Sequence, residues 1–266
     1  MKQRPTFPAQ LGSTLAKNRP SAHGASAPAA VPALATPRGT TALVKPQGVG
    51  MDSSAVRTAM VQKLKGQGVT DPLVLLAMGS IERHRFVDTG LANQAYEDTS
   101  LPIGLGQTIS KPGVVSRMIE LMRNGATGKL GRVLEIGTGC GYQAAVLSMV
   151  ATEVYSIERL RGLHDKSREN LRHLRLANLH LLFGDGMAGY AQGAPYAAII
   201  AAAGGEAVPQ AWVDQLAMGG RLVAPVVTGG AKGGTQALLV LDKTPQGIRQ
   251  SLLEAVHFVP LKSGVA

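Results

Sequence analysis

The sequence predicts a doubly wound, mostly parallel α/β sheet with a small N-terminal helical subdomain and a closing β-hairpin. Three observations carry that prediction. Val133–Glu158 reads as strand, Gly-rich turn, helix, strand and acid, the opening unit of a nucleotide-binding α/β fold. From there to Val227, short apolar runs alternate with helical patterns, as parallel strands joined by crossover helices require. The last two apolar runs flank Thr244-Pro245-Gln246-Gly247, a turn sequence that suits a hairpin.

The central unit is the most informative stretch. Val133, Leu134 and Ile136 form a short apolar run that reads as a buried strand. Gly137-Thr138-Gly139-Cys140-Gly141 then turns sharply and lets a ligand approach the backbone. Tyr142–Val150 reads as a helix and Val154–Ile157 as a second strand, stopping at Glu158. A dinucleotide fingerprint would be G-x-G-x-x-G, with a pyrophosphate at the helix N-terminus. Here glycines 137, 139 and 141 make G-x-G-x-G, and Glu135 stands two residues ahead of the first. A carboxylate there repels a pyrophosphate and suits an ammonium or sulfonium group. Glu158 suits a ribose diol, because a carboxylate accepts two hydroxyl hydrogen bonds. S-adenosyl-L-methionine combines a cation and a ribose with no phosphate. Taken alone, the glycines need only form a tight turn; the two acids beside them turn the balance toward a cofactor site.

Composition bounds the rest. The chain has 266 residues, 45% of them hydrophobic, enough for one sizeable α/β domain plus an appendage. Its formal net charge is +10, but residues 1–51 hold Lys2, Arg4, Lys17, Arg19, Arg38 and Lys45 and no acid. The folded part therefore carries a modest excess, and no nucleic-acid partner is expected. Cys140 is the single cysteine, so no intramolecular disulfide forms and a reducing, cytoplasmic setting is expected. The histidines show no metal-ligand spacing, so no metal is expected. No apolar stretch approaches the roughly 20 residues needed to cross a membrane.

In chain order, residues 1–50 are rich in Ala, Pro, Ser, Thr and Gly and read as a disordered basic tail. The tail lacks the apolar centre of a secretory signal, and its prolines would break the amphipathic helix of a transit peptide. Asp52–Lys65 reads as a helix ended by Gly66 and Gly68. Asp71-Pro72 starts a second one, with Asp as cap and Pro in the first turn. Tyr96–Pro112 reads as a long loop of the functional kind. Ser110, at its end, would by local sequence cap the helix that carries Val114, Val115, Met118, Ile119 and Met122. Beyond the central unit come a basic helix over 160–176 and a strand over Leu179–Phe183. Asp185 follows between two glycines, where open α/β sheets bind ligands; it could accept from an adenine amino group or simply form the turn. A strand over 196–203, a helix over 208–217 opened by Pro209, a strand over 221–227 and a flexible loop over 229–234 lead to hairpin strands over 237–241 and 251–259.

Three stretches together resemble the protein-L-isoaspartate (D-aspartate) O-methyltransferase family: LPIGLGQTISKPGVVSRMIEL (101–121), VLEIGTGCGYQAAVL with VYSIER (133–159), and GDGMAGY through VPQAWVDQLAMGGRLVAPV (184–226). EAVHFVPL (254–261) is similar as well, so the resemblance spans nearly everything after Met51. The middle stretch marks any class I S-adenosylmethionine-dependent methyltransferase; the Gln107-Thr108-Ile109-Ser110 segment is far more specific. The resemblance implies methyl transfer to the free α-carboxylate of L-isoaspartyl residues in damaged proteins, followed by spontaneous succinimide closure. It implies Ser110 as the active-site serine of a substrate loop with Gln107, Thr108 and Ile109. It implies Gly137, Gly139 and Gly141 as the cofactor turn, Glu158 as the ribose acid and Asp185 as the adenine-side acid. No general base is needed, since the nucleophile is already an anion at neutral pH.

The chain departs from the family pattern at Ala197, at Ala202 where a threonine is usual, at Gly113 where Tyr or His is usual, at Leu105, and at Cys140 in place of serine. Ala202 and Gly113 are expected on the substrate side, where they leave open a class I methyltransferase with another acceptor. A noncatalytic protein keeping the pocket is the third reading, and the intact Glu135, Glu158, Asp185 and Ser110 count against it. The expected organisation is a tail (1–50) and a methyltransferase domain (51–266), divided into helical subdomain with substrate loop (51–112) and cofactor-binding core (113–266). A monomer is expected.

Overall fold

The computed structural model describes residues 54–229 and 235–266. The expected tail over 1–50 and most of the expected loop over 229–234 lie outside the described residues. Helix α1, Ser54–Gly66, buries Met60 and Leu64. Helix α2, Pro72–Ser80, starts as its sequence dictates: the Asp71 carboxylate accepts from Leu73 N at 2.9 Å and Val74 N at 3.2 Å, with Pro72 in the first turn. The other Asp71 oxygen accepts from the buried Arg123 guanidinium at 2.7 Å, and Arg123 also donates to Ala126 O and Gly128 O. One ion pair, fully hydrogen-bonded, thus ties the start of α2 to the end of helix α3, Pro112–Arg123.

The expected loop over 96–112 is partly regular. Leu101–Gly104 (β1) and Gln107–Ile109 (β2) pair antiparallel around a tip at Leu105-Gly106. Sequence periodicity cannot reveal so short a ribbon, but its burial is clear: Leu101, Ile103 and Ile109 point into the core. Two short 3₁₀ segments precede it, at Arg83–Phe86 and Thr89–Gln94, where no element was expected. Ser110 does not cap α3. Lys111 occupies the cap position, and Gly113 N donates to the Asp98 carboxylate at 2.8 Å.

The main sheet has seven strands: Leu130–Ile136 (β3), Ala151–Glu158 (β4), Leu179–Phe183 (β5), Tyr196–Ala201 (β6), Leu216–Thr228 (β7), Thr235–Thr244 (β8) and Gly247–Val256 (β9). Their order is β5-β4-β3-β6-β7-β8-β9; the first five run parallel, and β7-β8-β9 is an antiparallel meander. The helices between them are α4 (Tyr142–Val150), α5 (Arg161–Leu171) and α6 (Gln210–Gln215). Helices α5 and α6 are shorter than their sequence patterns, and β7 begins five residues before the expected Arg221, because Leu216 already pairs with Tyr196.

The sheet separates two apolar layers. Val133, Val154, Ala198, Ile200, Val223 and Val240 face one core, shared with α1, α2, α3 and α4. Leu134, Ile136, Ile157, Ile199, Leu222 and Leu241 face the other, with Trp212 of α6. The second half of β3, Val133–Ile136, is buried on both faces, which is why it is apolar apart from Glu135. The chain leaves β3 for β4 on one side and reaches β6 on the other, so a crevice opens above the carboxyl ends of these strands. Trp212 fixes its far rim by donating from Nε1 to Gly186 O at 2.8 Å. Among the described residues no helix is long and apolar enough to cross a membrane, and no cluster of His, Cys, Asp and Glu could hold a metal ion.

Candidate active site

A cavity of about 420 Å³ fills that crevice, within the roughly 300–1,000 Å³ typical of small-molecule sites. Its floor is the Gly137–Cys140 turn, Glu158 and Gly186. Its walls are the β1–β2 hairpin, with Gln107, Thr108, Ile109 and Ser110, and the segment Val259–Lys262. The substrate-loop residues and the cofactor turn, about thirty residues apart in sequence, therefore face one space.

Gly137 turns the chain at φ +90°, a backbone that L side chains rarely adopt, and a Cβ there would meet Ala202 at 3.6 Å. Glu158 is 5% exposed at the end of β4. Its carboxylate accepts from Gly139 N at 2.8 Å and from Leu160 N at 2.9 Å, locking the glycine turn to the next strand. The carboxylate still lines the cavity, with lone pairs left for ligand hydroxyls.

Three expected cofactor residues sit elsewhere. Gly141 does not line the cavity; it packs on α5, and a Cβ there would meet Leu171 Cδ1 at 2.7 Å. Packing and a backbone at φ +92° both call for glycine at this position. Glu135 is fully buried beneath the turn and does not reach the cavity either. Ser156 Oγ donates to one of its oxygens and is itself joined to Thr138 Oγ1 at 2.6 Å. The other oxygen and the Gln143 amide nitrogen are both buried and meet no partner at full hydrogen-bond geometry, though Gln143 is near enough to act on the carboxyl. Desolvation pushes the Glu135 carboxyl up to about 8, against the pull of Ser156 and Gln143. Asp185, lastly, accepts from Met187 N at 2.9 Å and from Gly264 N at 2.7 Å, and it lies behind Gly186 rather than on the cavity surface.

Ser110 is half-buried in the cavity wall, and its hydroxyl makes no hydrogen bond with any described residue. Cys140 is 3% exposed, and burial pushes its thiol up to about 11, which makes it a small packing residue rather than a reactive thiolate. Of the two departures expected on the substrate side, Ala202 lines the cavity. Gly113 does not: a side chain there would point at Asp98 and Gln67. Val259–Lys262 was missed as a site. Its only sequence signal was the family-like VPL triplet, and its placement depends on a long-range bridge in which Gly204 N donates to Val259 O and Leu261 N to Gly204 O.

An open, mostly parallel sheet whose switch-point crevice holds a glycine turn tied to an acid at the end of the next strand has the class I methyltransferase architecture. A family model described as protein-L-isoaspartate(D-aspartate) O-methyltransferase (PCMT) matches residues 55–266, and the chain belongs to that family. A protein-L-isoaspartate O-methyltransferase of Methylibium petroleiphilum is 60% identical over 229 residues, covering 85% of this chain and 83% of that protein. One of Leptothrix cholodnii is 58% identical over 221 residues, covering 82% and 77%. A solved protein-L-isoaspartate O-methyltransferase superposes with a TM-score of 0.69 at 27% identity, covering 79% of this chain and 67% of that one. A putative one from Plasmodium falciparum, solved with S-adenosyl-L-homocysteine, shares the fold with a TM-score of 0.66 at 24% identity, over 77% of this chain and 98% of that one.

Proposed function

We infer that this chain transfers a methyl group from S-adenosyl-L-methionine to the free α-carboxylate of L-isoaspartyl residues in damaged proteins, the step that initiates repair through a succinimide. The observation that carries this reading is the unpartnered Ser110 hydroxyl facing the same cavity as the Gly137 turn and Glu158. The residues fit the methyl donor. Glu158 offers an acceptor for a ribose diol, Gly137 and Gly139 let the ligand lie against the backbone, and no phosphate cradle is built. Bound there, S-adenosyl-L-methionine supplies a methyl group already activated on a sulfonium.

The protein's own contribution is placement. Ser110 Oγ and the exposed backbone of the hairpin hold a carboxylate oxygen toward the cofactor end of the cavity. Neutral donors of this kind orient the nucleophile without cancelling its charge. Ile103, Ile109 and Leu160 exclude water from one side, and Arg159 and Lys262 at the wall favour an anionic peptide. Alignment of oxygen, methyl and sulfur is then the main catalytic device.

The remaining expectations form part of the same reading. Asp185 serves the adenine side, and residues 51–266 act as one methyltransferase domain after a passive 1–50 tail. The protein acts in the cytoplasm as a monomer on damaged or unfolded chains, not on nucleic acid. One observation favours a second reading. Ala202 puts a methyl in the cavity wall where the family has a hydroxyl, which would suit a different acceptor. The test is transfer of labelled methyl to paired peptides carrying L-isoaspartate or aspartate at one position. Selective, base-labile labelling of the isoaspartyl peptide is expected; labelling of neither, with cofactor bound, would reject the substrate assignment.

A further inference from the structure

The cavity has two covers, and they are fastened differently. The hairpin cover is rooted in the core through Leu101, Ile103 and Ile109, each under 5% exposed, and Lys166 Nζ donates to Ile103 O at 3.0 Å. The other cover is Val259–Lys262, and the chain continues from it to Ala266 beyond the cavity lining. After Leu261 its residues are all exposed, with no side chain in the core.

This run is held through its own backbone atoms, by two main-chain and two side-chain partners. Arg161 N donates to Ala266 O at 2.7 Å, and Ala266 N donates to Arg159 O at 2.9 Å. Arg159 Nε donates to Gly264 O at 2.9 Å. Gly264 N donates to the Asp185 carboxylate at 2.7 Å. The run therefore leaves the bridge at Gly204, passes along the cavity wall, and lands on the β4–α5 and β5 ends that carry Glu158 and Asp185. An exposed segment with few apolar contacts and several solvent-accessible backbone bonds belongs to the low-stability end of a fold and opens first.

We propose that residues 262–266 form a strap that closes over the adenosine end of the bound cofactor, with Asp185 as its latch. The proposal rests on the reading that this cavity holds S-adenosyl-L-methionine. Asp185 is a positioning residue here: one oxygen shapes its own turn through Met187 N, and the other holds the strap through Gly264 N. Asp185 lies behind Gly186 and off the cavity surface, so it acts on the ligand through the strap and through the turn that carries Gly186. The hairpin stays in place, and the cofactor enters and leaves by lifting the strap.

The experiment compares the full chain with a chain lacking residues 263–266, using S-adenosyl-L-homocysteine as probe. Release of the probe is timed by displacement, and amide hydrogen exchange is read at Gly264 and Ala266. A second variant, Gly264→Pro, removes the N–H that meets Asp185 and forbids the φ of +73° found there. Both altered chains should release the probe at least tenfold faster, with an unchanged melting temperature in its absence. In the full chain, the probe should slow exchange at Gly264 and Ala266 at least tenfold. Release rates within twofold of the full chain's, or exchange indifferent to the probe, would overturn the strap while leaving the cofactor site standing. Failure of the full chain to bind the probe at all would overturn both.

Discussion

The floor and the walls of the cavity are built by opposite means. The floor is backbone and buried charge: a glycine turn at positive φ, and Glu158 committed to two main-chain donors. The walls mix core-rooted residues with exposed ones: Leu105 is 62% exposed, Thr108 and Lys262 are in solvent, and the Ser110 hydroxyl has no partner among the described residues. The difference separates two tasks. One invariant small molecule is met by a rigid, over-determined surface, because preorganised groups cost nothing to arrange at the moment of binding. A peptide of variable sequence is met by an open surface that specifies a carboxylate and little else.

That contrast can be broken at its strongest point. Gly141→Ala places a Cβ 2.7 Å from Leu171 Cδ1 on a backbone at φ +92°. Strain and overpacking together should cost about 2–4 kcal/mol, read as a lowered denaturation midpoint. Loss of cofactor affinity should follow from the displaced turn. A neutral outcome would show that the floor is softer than its geometry implies.

The next largest effect belongs to the wall. Ser110→Ala removes one hydrogen bond to a charged group, about 1.5–3 kcal/mol, so methyl transfer should fall roughly 10- to 150-fold. Melting temperature and cofactor affinity should not move, because Ser110 supports neither α3 nor the turn. A stability loss with normal transfer would mean that the hydroxyl is structural after all.

Glu135 sharpens the comparison through pH. Its folded carboxyl is raised to about 8 by desolvation, while in the unfolded chain it ionises near the ordinary glutamate value. Between these values the folded state binds the extra proton, so stability falls as pH rises, and the full penalty stands above about pH 8. Relative to Glu135→Gln, the wild-type chain should lose up to about 1.4 kcal/mol per pH unit from pH 6 to 8. Parallel melting profiles for the two proteins would show that Glu135 is ionised in the fold.

The smallest effect is expected at Gly113→Ala. The added Cβ meets the Asp98 carboxylate, a side chain that can give way, and the helix gains from alanine. Stability should change by less than about 1 kcal/mol and methyl transfer not at all. A marked change in transfer would bring Gly113 back to the substrate side.

How legible the molecule was depended on the range of the interactions involved. The parallel half of the sheet, its helices and the glycine turn follow from local patterns, because strands buried on both faces and a turn between glycines leave their mark within a few residues. Asp71-Pro72 as a helix start and Val154–Ile157 ending at an acid were equally local. The β1–β2 ribbon was not, since three or four residues carry no readable period, and its order comes from burial against the core. Ser110 as a helix cap was a fair local inference, defeated by a distant competitor, Asp98, whose carboxylate takes the Gly113 N–H.

The sequence by itself determined the class of fold, the family, and the residues that gather around the cavity floor. Only the tertiary structure decided which of them face the ligand space. Gly141 turns to Leu171, Glu135 is sealed beneath the turn, and Asp185 is shared with Gly264, while Val259–Lys262 arrives as an unannounced wall. The physical reason is that a motif specifies a backbone path through local sterics. Where a side chain ends is settled by packing and hydrogen bonds to partners dozens of residues away, which no local pattern encodes.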